Sequence, residues 1–404
     1  MRASAYWSSG QAVAFGAILS ALMSQPLPGR ADLAPPAALG WHDRLIHRWA
    51  TAHRERPDGE VVTGYHNSNY IVPLGWRLAL LLRTMPYRAR VKCRTPLQAA
   101  EVAPRIWPSE SELLEVVTRH LPEVPRCLRD FGDWSMHAYR AGRPLTEVDE
   151  SELHTDELMA RLAEFFARTA AVPESELPSR PDGWPKDGDS DGFLAWLIDF
   201  TEERVHRANR RRFDALFEDI GIRRHAMTEF KKRAPRLHER PFCLLHTDVH
   251  RANIVIDRKE IAVIDWELAL YGDPLHDLAT HLVRMDYDKE QHIRMRQSWT
   301  EAMTAAGKAE LTADLDVDLP VYLDFEYAQS VFPDVMRAAL ALPAVAPSDA
   351  EFEQAAAHVC RALRRAADPL RLEEVPDQAR AVEALRAWHA EVHGREAAPA
   401  DPVA

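Results

Sequence analysis

Glycine is scarce in this chain, 16 residues in 404, and none falls into a G-x-G-x-x-G run. Cysteine is scarcer: Cys93, Cys127, Cys243 and Cys360 lie far apart and form no C-x-x-C pair. That spacing indicates neither a zinc site nor a disulfide framework. Positive charge is in deficit, with 50 Lys and Arg against 62 Asp and Glu and a formal net charge of −12. A nucleic-acid phosphate backbone would be repelled, which argues against nucleic-acid binding as the main activity. The apolar run at 12–23 follows a single arginine, Arg2. It is too short to span a membrane, and its charged region is thin for a signal peptide. Four prolines between 24 and 40 mark a linker, so residues 1–40 read as a poorly ordered leader. No internal repeat is visible. What the chain does have is length for one large or two ordinary domains, with 46% hydrophobic residues to fill their cores.

Its most informative stretch is FCLLHTDVHRANIVIDRKEIAVIDWELALYGDPLHDLA, residues 242–279. Residues 242–245 form an apolar run of buried-strand length, and a polar loop follows from His246 to Asn253. Two β-branched runs, 254–256 and 261–264, flank the polar turn 257–260 and predict a hairpin. Pairing Ile256 with Ile261 and stepping outward sets Asn253 opposite Ile264, beside Asp265. Opposed residues sit roughly 5 Å apart, so an amide oxygen and a carboxylate there can share one cation. Magnesium takes hard oxygen ligands, few of them from protein, with substrate phosphates completing the shell. Asp248, on the same loop, is then free to accept the proton of an attacking hydroxyl.

HTDVHRAN followed by IDW resembles the catalytic loop and metal-binding Asp of the aminoglycoside phosphotransferase and choline kinase group, relatives of the protein kinases. The resemblance implies an α+β, bilobal protein-kinase-like fold with a small β-rich N-lobe and a larger, mostly helical C-lobe. It implies Asp248 as catalytic base and Asn253 and Asp265 as magnesium ligands, with ATP as phosphoryl donor. GDPLHDLA is similar to the antibiotic kinases, where an Asp at the position of Asp273 braces the catalytic loop. Thr247 stands where those kinases usually carry Gly, so the loop is expected to need no positive φ there. His246 is expected to pack beneath the loop and bond its backbone. His250 is placed to reach an acceptor or to fill the loop, and Glu267 to support magnesium from outside or to be a surface charge. Asp277 is expected at the positive end of a helix.

The nucleotide should also be held upstream. Residues 60–72 read as strand, Asn-rich turn and strand, with Asn67 and Asn69 able to adopt left-handed conformations in a phosphate-covering turn. Residues 87–94 alternate apolar and basic residues, as a half-buried strand does. A following strand, 102–107, offers Arg105 as the phosphate-gripping cation, with Lys92 the competitor; arginine can fork onto phosphate oxygens. The resemblance puts the acidic partner of that cation at Glu110, while Ser109 and Glu112 match a capping box. Two further strands lead to a Gly-containing link at 140–145, and adenine is expected on backbone groups of His137, Ala138 and Tyr139.

Helices dominate the remainder, with segments near 149–170, 191–217, 275–285, 288–306, 319–342, 349–367 and 376–393. Arg207–Arg212 reads as a solvated basic face. Kinases of this group build acceptor pockets from late helices, and Glu326 and Asp334, near a kink at Pro333, join His250 as acceptor candidates. The expected organisation is a leader at 1–40, an N-lobe at 41–136, a hinge at 137–145, a C-lobe at 146–393 and a tail at 394–404. The implied reaction is ATP-dependent phosphorylation of a small-molecule hydroxyl, with an aminoglycoside-like or other natural-product acceptor first in line. A metabolic kinase for choline, a sugar or an amino alcohol, and a nucleotide-binding pseudokinase, stay open. ATP use and free thiols point to the cytoplasm, without nucleic-acid or membrane partners, as monomer or homodimer. No D-F-G and A-P-E pair brackets an activation segment, which argues against a protein kinase.

Overall fold

A computed structural model describes residues 40–54, 60–63, 67–75, 79–80, 82, 90–96, 102–132, 134–149, 155–258 and 260–396. The leader up to residue 39, the turn at 64–66, residues 87–89 of the basic alternating stretch and the tail from 397 lie outside the described residues. The chain divides into two compact units, Met1–Leu97 with Cys127–Tyr139, and Gln98–Arg126 with Arg140–Ala404.

The first unit contains helix α1 (Trp41–Arg54) and strands β1 (Glu60–Thr63), β2 (Asn67–Pro73), β3 (Arg90–Pro96), β4 (Cys127–Asp130) and β5 (Ser135–Ala138). The strands form an antiparallel sheet in the order β1-β2-β3-β5-β4. Ile46, Trp49 and Ala50 of α1 share a core with Val72, Val91, Cys93 and Met136 of the strands. Phe131 and Trp134 close one end with ring centroids 4.5 Å apart. Asn67 and Asn69 are not turn residues: both belong to β2, opposite Pro96 and Arg94, and neither has positive φ. Here sheet pairing overrides the local turn preference of asparagine.

The second unit begins with an irregular segment, 102–109, where a strand is expected at 102–107. Pro104 and Pro108 lack the N–H that a ladder requires. Helix α2 (Glu110–His120) follows. Ser109 takes the N-cap position but its side chain caps nothing, so the expected capping box does not form; its hydroxyl lies 2.5 Å from that of Ser111. After the link, β6 (Arg143–Pro144) pairs with β8 (Ile254–Asp257), and β8 pairs with β9 (Glu260–Val263). The β8–β9 register matches the hand-built pairing, with Ile256 opposite Ile261 and Asp257 opposite Glu260. The two-residue turn begins at Arg258, in the left-handed conformation at φ 56 that such hairpin turns demand. A second pair joins β7 (Cys243–Leu245) to β10 (Leu270–Gly272).

The helices of this unit are α3 (Asp156–Ala170), α4 (Ser190–Phe200), α5 (Ala208–Asp219), α6 (Ala226–Arg233), α7 (Pro274–Arg284), α8 (Lys289–Ala305), α9 (Leu315–Leu340), α10 (Asp349–Leu370) and α11 (Gln378–Glu396). Between α4 and α5 the chain forms a π-helix, Thr201–Arg207. Buried Glu202 meets His206 at 3.2 Å and Arg210 at 3.1 Å there, so the basic face is partly tied by ion pairs rather than only solvated. Pro333 and Pro320 both lie inside α9.

Gly142 fixes the entry to β6. Its φ is 140, and a Cβ built there would meet the Ile256 carbonyl oxygen at 2.5 Å and Val255 Cγ1 at 2.7 Å. Only glycine combines that backbone with that approach. Gly142→Ala is expected to destabilise the protein by roughly 1–3 kcal/mol, read as a lowered denaturant midpoint with an unchanged slope.

Candidate active site

The loop after β7 is held by a buried carboxylate. Asp277, on the second turn of α7, accepts the His246 N–H at 2.9 Å and the Thr247 N–H at 2.7 Å. Thr247 adopts φ 59, contrary to the expectation that a β-branched residue there rules out positive φ. Such a conformation costs about 1–3 kcal/mol. Its N–H bond to Asp277 and its Oγ1 bond to Leu268 O at 2.6 Å offset that strain. Burial pushes the Asp277 carboxyl up to about 7, against the lowering effect of the two N–H bonds. The bracing carboxylate is therefore Asp277 and not Asp273. Asp273 caps α7 through Leu275 N at 3.0 Å and pairs with buried Arg240 at 2.6 Å, which also meets Asp318 at 2.7 Å. A capping position uses up the Asp273 carboxylate on its own helix.

The buried His246 ring lies against Trp266, with centroids 4.6 Å apart, and its Nδ1 accepts from Asp248 N at 3.3 Å. Burial lowers its pKa to about 4, so it is neutral. Asp248 follows, almost enclosed. One carboxylate oxygen pairs with Arg284, and the other accepts from Asn253 Nδ2 at 2.8 Å and lies 3.5 Å from His250 Nε2. Burial opposes ionisation of Asp248, but Arg284 and His250 outweigh it and hold the carboxyl below its ordinary range. Asn253 Nδ2 also donates to Asp248 O at 3.0 Å, which turns Oδ1 toward other partners. Ile264 N donates to Asn253 O at 2.9 Å and brings Asp265 alongside; Asp265 itself is left-handed, at φ 73.

Around Asp265 the acids differ from expectation. Glu110 accepts the backbone N–H of Trp266 at 2.8 Å, while Arg105 pairs with Glu267 at 3.2 Å. Because 102–109 is not a strand, Arg105 sits where the carboxylate two residues past Asp265 can reach it. Glu267 is mostly buried in that pair and is not a free surface charge.

In the first unit, the His137 backbone faces Lys92 on one side and Cys127 on the other. Its ring meets Ser135 Oγ at 2.7 Å. Tyr139 N donates to Arg90 O at 3.2 Å. A ladder strand flanked on both sides has few backbone groups to spare, so His137 and Tyr139 N–H do not fit the expected adenine contact. Ala138, opposite Val91, shares that strand. Arg94, buried on β3, is a strand-borne cation that composition and alternation alone did not single out.

Beside the loop is a narrow recess of about 30 Å³ lined by Thr247, His276, Thr280, Arg284, Glu326 and Phe325 among others. Glu326 is buried, and desolvation raises its pKa despite Arg284 nearby. His276 Nδ1 lies 3.4 Å from Glu326 Oε1 without hydrogen-bond geometry. Asp334 pairs with Arg337 at 3.1 Å, further along α9. His250, with Nδ1 accepting from Ala252 N at 3.2 Å, faces Asp248 through Nε2. Arg284 and Asp277 are the residues that sequence reading missed. Asp277 stood inside the GDPLHDLA run as a helix-end charge; Arg284 carried no signal.

Among the described residues no group of three or more His, Cys, Asp or Glu side chains is arranged to hold a metal. The donor set of Asn253 and Asp265 nonetheless suits magnesium, which takes one or two protein carboxylates and completes its shell from phosphates and water. No helix among the described residues is long and apolar enough to cross a membrane.

A family model described as the phosphotransferase enzyme family, APH, matches residues 60–313. No match is found among curated proteins. Among solved structures, an ethanolamine kinase from Plasmodium vivax is similar at 13% identity and TM-score 0.50, over 87% of this chain and 96% of that one. A choline/ethanolamine kinase family protein from Mesorhizobium loti aligns at 15% identity and TM-score 0.47, over 85% and 99%. The aminoglycoside phosphotransferase APH(4)-Ia, in complex with ADP and hygromycin B, aligns at 15% and 0.46, over 82% and 98%. The α+β, kinase-like fold is thus the one expected from HTDVHRAN and IDW.

The buried histidines set the acid response. His246 and His281 are lowered to about 4 and His276 to about 3, each by burial. Unfolded, they bind protons near 6.5, so stability falls as pH drops from 6.5 toward 4. Asp277 acts oppositely, since the folded carboxyl keeps its proton up to about 7. Three groups outweigh one, and the melting temperature is expected to fall over that interval. Asp277→Asn should retain the acid loss and steepen it. A melting temperature that rises on acidification would contradict these assignments.

Proposed function

The chain belongs to the APH phosphotransferase enzyme family, and from that premise we propose that it transfers the γ-phosphoryl group of ATP to a hydroxyl of a small molecule. The observation that carries this is the meeting of Asp248 and Asn253 at 2.8 Å, with Asp265 brought alongside by the β8–β9 register. Asp248 would orient the acceptor hydroxyl and take its proton. Asn253 Oδ1 and Asp265 would hold magnesium, which on binding neutralises phosphate charge. Glu110 holds the backbone next to Asp265 in place through Trp266 N. Arg105, kept against Glu267, offers a guanidinium for phosphate oxygens, and Arg94 on β3 is the alternative cation. Adenine would fall to backbone groups past Tyr139, since the ladder uses those before it.

The acceptor would lie against His250, Arg284 and the recess that ends at Glu326, with Asp334 further out. An aminoglycoside-like or other natural-product alcohol follows from the family resemblance. The narrowness of the recess favours the second reading, a compact metabolic alcohol such as choline, a sugar or an amino alcohol. In a loose phosphoryl-transfer transition state, positioning and charge supply most of the acceleration.

Mass spectrometry of an acceptor library incubated with ATP, magnesium and the protein tests the reaction. Asp248→Asn is expected to cut turnover at least about a hundredfold while nucleotide binding persists. Asp265→Asn should abolish magnesium-dependent nucleotide binding, seen by calorimetry. Near-normal turnover in Asp248→Asn would remove the base assignment.

A further inference from the structure

Every acceptor atom of Asp248 is engaged. Arg284, in the last turn of α7, takes Oδ1, while Asn253 and His250 face Oδ2. A base in that state has no free oxygen for an incoming hydroxyl. Arg284 is also the one of these partners that can leave. Asn253 is tied by its backbone to Ile264 and by Nδ2 to Asp248 O, and His250 by Nδ1 to Ala252 N. The Arg284 side chain is about a third exposed (34%) and ends a helix.

A second seat for the guanidinium lies beside it. Arg284 and Glu326 line the same recess, and Asp334 also acts on Arg284 electrostatically. Glu326 is buried with its carboxylate bonded only by Gln329 Nε2, at 3.1 Å, and His276 nearby leaves Nδ1 without a hydrogen bond. A buried carboxylate so sparsely satisfied gains from an arriving cation. The walls of this recess come from two interrupted helices: Phe200 and Thr201 at the start of the π-helix, and α9 with its internal prolines.

We propose that Arg284 is a latch, which holds Asp248 off from water until an acceptor in the recess draws it to Glu326. The proposal rests on Asp248 being the base of a phosphotransferase. The latched state would suppress wasteful transfer to water: with Asp248 occupied, no group removes the proton from a water attacking the γ-phosphorus. Releasing Arg284 restores that group, and the bond from γ-phosphorus to the bridging oxygen breaks with ADP and phosphate as products.

The test needs no acceptor. Full-length wild type, Arg284→Met, Arg284→Lys and the double variant Arg284→Met with Asp248→Asn are assayed for ADP release from magnesium–ATP alone, with ATP affinity measured in parallel. Arg284→Met keeps an apolar stem of similar length and should raise basal hydrolysis about five- to tenfold, the size of one partly exposed charge contact. Arg284→Lys, with a shorter reach, should raise it less. The double variant should lose the gain, which assigns the gain to Asp248. Hydrolysis at or below the wild-type rate in both single variants, with ATP affinity unchanged, overturns the latch and leaves the phosphotransferase reading standing. Absence of magnesium–ATP binding in the wild type overturns both.

Discussion

The site depends on one buried carboxylate. Asp277 takes two consecutive backbone N–H groups, those of His246 and Thr247, in a place where water cannot replace it. Those bonds hold a β-branched residue left-handed, and that turn aims Asp248 away from β7 and toward Asn253. Without them, Thr247 would relax toward an extended backbone, and the carboxylate and amide would separate. The same helix start that presents Asp277 is fastened by Asp273 and Arg240, a second buried network with a separate task. One acid braces the loop and the other braces the helix that carries the brace.

This division explains how a chain poor in glycine forms a loop where its relatives tend to place glycine. Conformational freedom at Thr247 is replaced by hydrogen bonds that satisfy its N–H and hydroxyl together. Asp265 is left-handed as well, and it is flanked by Trp266, whose N–H is fixed by Glu110 and whose ring lies under the loop against His246. Strain at two functional positions is thus held in place by packing and buried bonds around them. Their neutral histidines fit that dry setting, because a charged imidazole there would lack compensation.

Much of the fold was legible because it rests on local rules. The β8–β9 hairpin follows from two β-branched runs and a polar turn, and its pairing could be counted residue by residue. The late helices follow from apolar periodicity and fall within a few residues of expectation. Expectations failed where local preference met a stronger tertiary demand. Asn67 and Asn69 joined a ladder, Ser109 left its helix uncapped, and two prolines dissolved the strand meant to carry Arg105. Arg105 consequently found Glu267, and Glu110 turned to a backbone N–H.

By itself the sequence determined the chemistry on offer: an Asp, an Asn and a second Asp whose spacing a hairpin converts into proximity. Short-range register suffices for that, since strand pairing is set by side-chain alternation and turn length. Only the tertiary structure decided which acid braces the loop, that Thr247 would be left-handed, and that Arg284 would occupy Asp248. Those choices join residues some thirty positions apart. Desolvation at such contacts fixes which partner a charge takes, and burial is a property of the packed whole rather than of any segment of it.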